Sequence, residues 1–450
     1  MMERSSGLRY DEWRLVVIDA QSLRLLAHDG ASGAFLPREF IAPYTRVAEA
    51  LTEAIKQHYG LSTIQLAVVS HPGERGGCAV HEVISSCTAA CRPLSLLALD
   101  EIASGELTAE ERNAVLSIMA GEPTKWGRFA RLGWIYELLD LMGTNRDRIA
   151  MPVIRQLGLS IDFCLISWKD ASGRKLWFKA VGEPNTREYR LTLALAGRFR
   201  AYLPKITVSI PEWNGWVMED ANGVPLNESH ASEQCKEALT ALAVMQREMA
   251  CDVHLLRTVG AKDWTCLKIA ALCEPFFADA ERIMQAQIST KTNPLLESEL
   301  ILLRSEIESA ISIIENAGIP ETLFHGDIGH GNIIATSEGP VFLDWAETYI
   351  GHPFLCAEHL LADFMRFHPH LSCDSMALRI AYANHWKDYA TTSALTNVVT
   401  FAPATAAFVY ALMAWESSVN GPEPTRSWPL IRSLLRRTKW ELVRARSVAA

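Results

Sequence analysis

The chain has 450 residues, of which 49% are hydrophobic and 21% charged, a composition that excludes largely disordered and fibrous proteins. Its length suggests roughly three structural units at about 150 residues each. With 43 basic against 52 acidic residues the formal net charge is −9, which argues against a general nucleic-acid-binding field and for small-molecule or protein partners.

Ten cysteines scattered through so long a chain read as reduced thiols, since disulfide scaffolds are short and cysteine-dense. Residues Met1 to Gly7 have no apolar core of the secretory kind, so a cytoplasmic location is expected. From Tyr389 to Trp415 no residue is charged, a stretch long enough for a bilayer. Its threonines and Asn397 make it too polar to span, and Pro403 is expected to break a continuous helix, leaving a buried helix over Ala404 to Trp415 and no membrane contact.

In chain order, Leu15 to Ile18 and Leu23 to Ala27 predict a hairpin around Asp19 to Ser22. From Thr45 the period becomes helical, with Val47, Leu51, Ile55 and Tyr59 every four residues and Gly60 at the stop. Strands follow over 64–69, 79–84 and 94–99, then a helix from Ala109 to Met119 with Thr108 and Glu111 placed for a capping box. Residues 1–125 are thus expected to form a small α/β domain, with a boundary at Gly121 to Gly127 and a helix over Leu132 to Met142 beyond it. Ile161 to Trp168 and Lys175 to Val181 should pair around the turn Asp170 to Gly173. Asn185 is placed to cap a helix bearing Glu188, with Leu191, Leu195 and Phe199 on one face. A strand at Trp216 to Met218 precedes a long helical region, with helices over 234–249, 265–286 and 296–317.

The chemistry concentrates between Leu323 and Trp345. Ile333 to Ala335 and Val341 to Leu343 flank the turn at Glu338-Gly339, so a hairpin is expected to bring Asn332 at its entry close to Asp344 at its exit. Both offer hard oxygen donors of the kind magnesium takes, usually with waters and phosphate oxygens completing the shell. Asp327, five residues ahead of Asn332 on a glycine-rich loop, can face the same cavity without holding the metal. That division, one carboxylate to orient a hydroxyl and two groups to hold a cation, is what phosphoryl transfer requires.

His325-Gly326-Asp327, Asn332 and Asp344-Trp345 resemble the catalytic loop and metal motif of the aminoglycoside phosphotransferase family, in order and in spacing. The resemblance implies an α+β, bilobal, protein-kinase-like fold over 126–218 (N-lobe) and 219–450 (mainly helical C-lobe), with ATP and Mg2+ as cofactors. It makes Asp327 the catalytic residue and Asn332 and Asp344 the metal ligands. It makes Lys179 the strand lysine on the phosphates, Glu188 its partner on the next helix, and Met218, Glu219 and Asp220 the backbone that meets adenine. Two departures stand out. No Gly-x-Gly-x-x-Gly precedes Lys179, leaving Gly158 and Ser160 to close over the phosphates; and Phe354 to Cys356 follow the Gly351-His352-Pro353 turn where the family often has an aspartate.

The first 125 residues lie outside this resemblance. They resemble a Nudix-type scaffold whose acidic metal run is replaced by Lys56 to Tyr59, which implies a catalytically silent docking domain and a possible protein partner; an unrelated small α/β domain is the alternative. Cys78, His81, Cys87 and Cys91 are spaced poorly for zinc, and the run Arg432 to Arg446 reads as a solvated helix face, with no nucleic acid as partner. The expected activity is transfer of the γ-phosphoryl group to a small-molecule hydroxyl, with a nucleotide-sensing adaptor as the alternative; a protein kinase is disfavoured because no Asp-Phe-Gly to Ala-Pro-Glu segment follows Asp344. Glu347, Glu358 and Asp363 would suit a cationic aminoglycoside, while other alcohols stay open.

Overall fold

The computed structural model describes residues 10–30, 33–70, 75–86, 94–122, 125–142, 153–226, 232–370, 375–421 and 425–449. By contacts the chain divides into two units, Met1–Tyr189 with Lys205–Asp220, and Arg190–Pro204 with Ala221–Ala450.

The first unit opens with β1 (Asp11–Asp19), β2 (Arg24–Ala27), β3 (Arg38–Ile41), α1 (Val47–Tyr59), β4 (Leu61–Val69), β5 (Gly76–Ser86), β6 (Ser95–Leu97), α2 (Ala109–Ala120) and α3 (Trp134–Leu141). The strands form one sheet in the order β4-β5-β1-β2-β6, with β3 on β1. The helix α1 buries Leu51, Ile55 and Tyr59 and stops at Gly60, whose φ of 66° needs no Cβ to be strained. At α2 the capping box forms in full, Glu111 N–H donating to the Thr108 hydroxyl and Thr108 N–H to the Glu111 carboxylate. Glu111 is buried and also receives the Arg14 guanidinium through two bonds of 3.0 and 2.6 Å, which fastens α2 to β1.

Next come β7 (Arg155–Leu159), β8 (Cys164–Lys169), β9 (Lys175–Ala180), α4 (Arg187–Arg198), β10 (Ile206–Ile210) and β11 (Gly215–Glu219), an antiparallel sheet ordered β10-β11-β9-β8-β7. The helix α4 starts in the first unit and its remainder counts with the second. The boundary expected near residue 126 falls inside the first unit, because both sheets share one hydrophobic core. Trp134 of α3 stands 6.4 Å from Phe178 of β9, and Phe129 packs between them at 4.9 and 6.2 Å. A second seam is polar: Gln156 of β7 accepts the Gln65 N–H of β4 at 2.7 Å and donates back to the Gln65 carbonyl at 3.1 Å, so one side chain replaces a rung of backbone pairing at the sheet edge.

The second unit continues with β12 (Val224–Pro225), α5 (Ser232–Ala250), α6 (Val253–Val259), β13 (Lys262–Trp264), α7 (Cys266–Gln285), α8 (Glu297–Glu315), β14 (Thr322–His325), β15 (Ile333–Thr336), β16 (Gly339–Phe342) and β17 (Thr348–Gly351). It closes with α9 (Pro353–Phe367), α10 (Ser375–Asn384), α11 (Thr392–Asn420) and α12 (Trp428–Ala449). Two three-stranded sheets, β12-β15-β16 and β13-β17-β14, are set against a helical core.

The break expected at Pro403 does not occur. The helix α11 runs on through it, with Leu395 and Val398 before and Phe408 and Leu412 after all buried, so packing on both sides outweighs the hydrogen bond that proline removes. By length and composition α11 could cross a membrane, yet 61% of its apolar window is buried within the protein. The described cysteines are free thiols, and Cys78 and His81 are buried, while Cys87 and Cys91 lie outside the described residues.

Candidate active site

Lys179 sits on β9, the third strand of its sheet, with Leu165 and Trp216 opposite it on β8 and β11. Its ammonium donates to the Glu188 carboxylate of α4 at 2.5 Å, with side-chain exposures of 10% and 2%. The strand lysine and helix glutamate expected from sequence are therefore paired in a nearly dry setting, the arrangement a kinase-like fold uses to present an ammonium to phosphates. The Asn185 side chain is not what starts the helix; the Asn185 carbonyl accepts from Glu188 N–H at 2.9 Å.

Two further stretches of this unit carried expectations. In the turn between β7 and β8, Ser160 N–H donates to the Phe163 carbonyl at 3.0 Å, which takes that amide out of reach of a phosphate. The turn is also held from outside: Arg128 Nε donates to Asp162 at 3.2 Å, and a Cβ on Gly127 would stand 1.4 Å from the Ile161 carbonyl oxygen. At the segment expected to meet adenine, Glu219 N–H is spent on the Lys205 carbonyl and Asp220 N–H on the Lys175 carbonyl, both at 3.0 Å. The Asp220 carboxylate holds Trp177 Nε1 at 2.6 Å and Lys175 Nζ at 2.8 Å. Both amides are consumed by the fold, which leaves the carbonyls of this stretch as the backbone groups an adenine edge could use.

In the second unit β14 delivers His325 into the core and the chain then turns through Gly326 to Asp327. Gly326 is required by close approach, because a Cβ there would lie 2.5 Å from the Tyr349 ring. Its N–H donates to the Glu347 carbonyl at 2.6 Å. One residue earlier, His325 Nε2 lies 2.9 Å from the Leu343 carbonyl, which can only accept, so the ring proton is on Nε2. Burial lowers the His325 pKa, keeping the ring neutral, and its Nδ1 has no partner among the described residues. These two rungs stitch the Asp327 loop to the stretch that carries Asp344.

The hairpin forms as expected, Ile333 pairing Phe342, and Leu343 N–H donates to the Asn332 carbonyl at 2.8 Å. Asn332 Nδ2 donates to the Asp327 carbonyl at 2.9 Å and to its carboxylate at 3.0 Å, an amide orientation assigned from these bonds. That leaves Oδ1 as the atom able to meet a cation. Asp344, two residues past the end of β16, stands in left-handed backbone, φ 59° and ψ 69°, a conformation that costs a non-glycine residue about 1 kcal/mol.

Asp327 is exposed, yet protein crowding first of all, and then the charges of Asp344 and Glu347, raise its pKa above the ordinary aspartate value, against the Asn332 hydrogen bond that lowers it. Carboxylates that repel one another in this way mark a place where a divalent cation would be welcome. Among the described residues no group of three or more His, Cys, Asp or Glu is set to hold a metal. A shell of one aspartate and one asparagine oxygen, completed by phosphate and water, fits magnesium and would not fit zinc.

No family model matches the chain, and no curated protein does. Solved structures do. The chain is similar to small-molecule kinases and phosphotransferases. An ethanolamine kinase of Plasmodium vivax is 14% identical, covering 76% of this chain and 95% of its own, with a TM-score of 0.45. A choline kinase of Streptococcus pneumoniae is 12% identical over 69% of this chain and 98% of its own, TM-score 0.44. A macrolide 2′-phosphotransferase of Brachybacterium faecium is 16% identical over 67% and 97%, TM-score 0.42. A five-stranded antiparallel sheet with its lysine on the third strand, a glutamate-bearing helix after it, and a helical unit with an Asp-Asn-Asp hairpin is the element order of a kinase-like phosphotransferase fold.

Proposed function

We propose that the protein is an ATP-dependent phosphotransferase acting on a hydroxyl group of a small molecule. The observation that carries this reading is the stitched loop of the second unit, where Asp327, Asn332 and Asp344 are tied by backbone rungs into one constellation. In the proposed step the acceptor oxygen forms a bond to the γ-phosphorus as the bond from phosphorus to the β,γ-bridging oxygen breaks. The acceptor's proton passes to the Asp327 carboxylate and ADP leaves. Asn332 Oδ1 and Asp344 would hold magnesium, which supplies positive charge to the phosphate oxygens. In the first unit Lys179, kept in place by Glu188, is the cation the strand offers to phosphate oxygens.

The raised pKa of Asp327 suits a group that must take a proton during the step and return it to solvent afterwards. The N-terminal sheet, fused to the lysine-bearing sheet, is read as a docking module for a protein partner. Magnesium-dependent ADP release across a panel of alcohols tests the reading. Asp327→Asn should keep nucleotide binding and lose about two to four orders of magnitude in turnover, and Asp344→Asn should lose the response to magnesium. Wild-type rates in either variant would refute the assignment.

A further inference from the structure

The second unit holds a cavity of about 220 Å3 lined by α9, α11 and α12. One of its walls touches the catalytic loop. Asp363 Oδ2 accepts the His330 N–H at 2.8 Å, is bonded to His330 Nδ1 as well, and lies 3.4 Å from where a Cβ on Gly329 would be. Tyr410 forms another wall, stacked on His359 with centroids 3.6 Å apart and planes at 14°. Its hydroxyl is buried with no hydrogen-bond partner among the described residues, within electrostatic reach of Asp327 and Asp363. Buried hydroxyls are ordinarily satisfied, so this unsatisfied one makes the wall it belongs to a polar one. The remainder of the lining is mostly small and apolar, Ala406, Ala407 and Leu434 among it.

The charges of the lining decide what that occupant is. Glu358 is consumed by Arg379 through bonds of 2.6 and 2.8 Å, and Asp363 by His330. Glu358 thus faces a fixed cation, and Asp363 Oδ2 is already engaged twice by His330. The cations are in the opposite position. Arg366 has no carboxylate partner among the described residues and only lies over the Phe367 ring, and Arg437 reaches Glu441 at no better than 3.9 Å. Guanidinium groups in this state are forks waiting for a carboxylate.

We infer that this cavity is the acceptor site and that the acceptor is a hydroxycarboxylate, its carboxylate on Arg366 and Arg437, its chain along the alanines, and its hydroxyl presented past Tyr410 to Asp327. The inference rests on the proposed phosphotransferase reading for the fate of the hydroxyl, whose oxygen joins the γ-phosphorus of the nucleoside triphosphate while its proton goes to Asp327. The binding itself does not depend on that reading.

The test uses two probes of equal length and opposite charge, 5-hydroxypentanoate and 5-aminopentan-1-ol, titrated calorimetrically into the full chain without nucleotide and then compared in ADP release. The hydroxycarboxylate should bind and the amino alcohol should not. Arg366→Ala and Arg437→Ala, both at exposed positions, should each weaken binding about tenfold, and should raise KM with little change in kcat. Binding lost in the arginine variants, but with no ADP release from wild type, keeps the site and sinks the phosphotransferase reading. Preference for the amino alcohol, binding of neither probe, or affinity indifferent to both arginines overturns the site, whatever the nucleotide chemistry proves to be.

Discussion

The Lys179–Glu188 pair allows stability and function to be pulled apart. Glu188 is 2% exposed and Lys179 10%, so Glu188→Ala leaves an ammonium buried without this carboxylate, a loss of about 3 kcal/mol for a buried pair cut on one side. For a cooperative unit of roughly 200 residues that corresponds to a fall of about 6–12 °C in Tm. Replacing both groups, Lys179→Met with Glu188→Leu, removes the unpaired charge and should restore most of that stability. Turnover should behave differently, because the phosphates need the ammonium itself: the single and double variants should all be impaired, and the stable double variant no less than the others. Differential scanning calorimetry gives the first quantity and magnesium-dependent ADP release the second. A Glu188→Ala protein melting within about 1 °C of wild type refutes the energetics, and a double variant with wild-type turnover refutes the role of the lysine.

Three further outcomes follow from named residues. The folded-state pKa of Asp327 lies above its unfolded value, so the native form binds more protons in that window and stability present at low pH is lost as pH rises through it. Asp327→Asn should thus be more stable than wild type at neutral pH, by a margin that shrinks on acidification; chemical denaturation at several pH values would refute this if the margin grew. Glu321, pushed up to about 7 by burial while accepting the Cys266 N–H at 2.7 Å, has the same sign. Glu321→Gln should flatten the decline in stability between about pH 5 and 8, by up to about 3 kcal/mol, and superimposable pH curves would sink the idea. At Gly127, with φ of 98° and a Cβ position 1.4 Å from the Ile161 oxygen, alanine should cost more than about 2 kcal/mol, measured by urea unfolding. A change below about 0.5 kcal/mol would mean the turn after β7 is not held as described.

What could be read from sequence was what depends on near neighbours. The four-residue period of Leu51, Ile55 and Tyr59, the Thr108–Glu111 box and the turn at Asp170 each act over one or two helical turns or a single hairpin, and each forms. The hairpin that sets Asn332 and Asp344 at its two ends was legible for the same reason, since its turn and both its strands are neighbours in sequence. Long-range contacts left no local trace. The strand β7 and its turn looked like a phosphate loop because Gly158 and Ser160 say nothing of Gln65, which lies 91 residues before its partner Gln156, or of Gly127. The run Ile206 to Ile210 alternates in burial and could have been found as a strand by its period. Tyr410 was hidden in an uncharged stretch that reads only as core, and the partners of Glu358 and Asp363, Arg379 and His330, could not be read beside them because they come from other elements.

Sharing a single core has a thermodynamic consequence for the N-terminal sheet. Whatever ligand or protein engages the native form of β1–β6 also raises the folded population of β7–β11, by an amount fixed only by its concentration over its dissociation constant. Occupancy at one sheet is thus communicated to the lysine on the other through mass action alone, with no moving part between them.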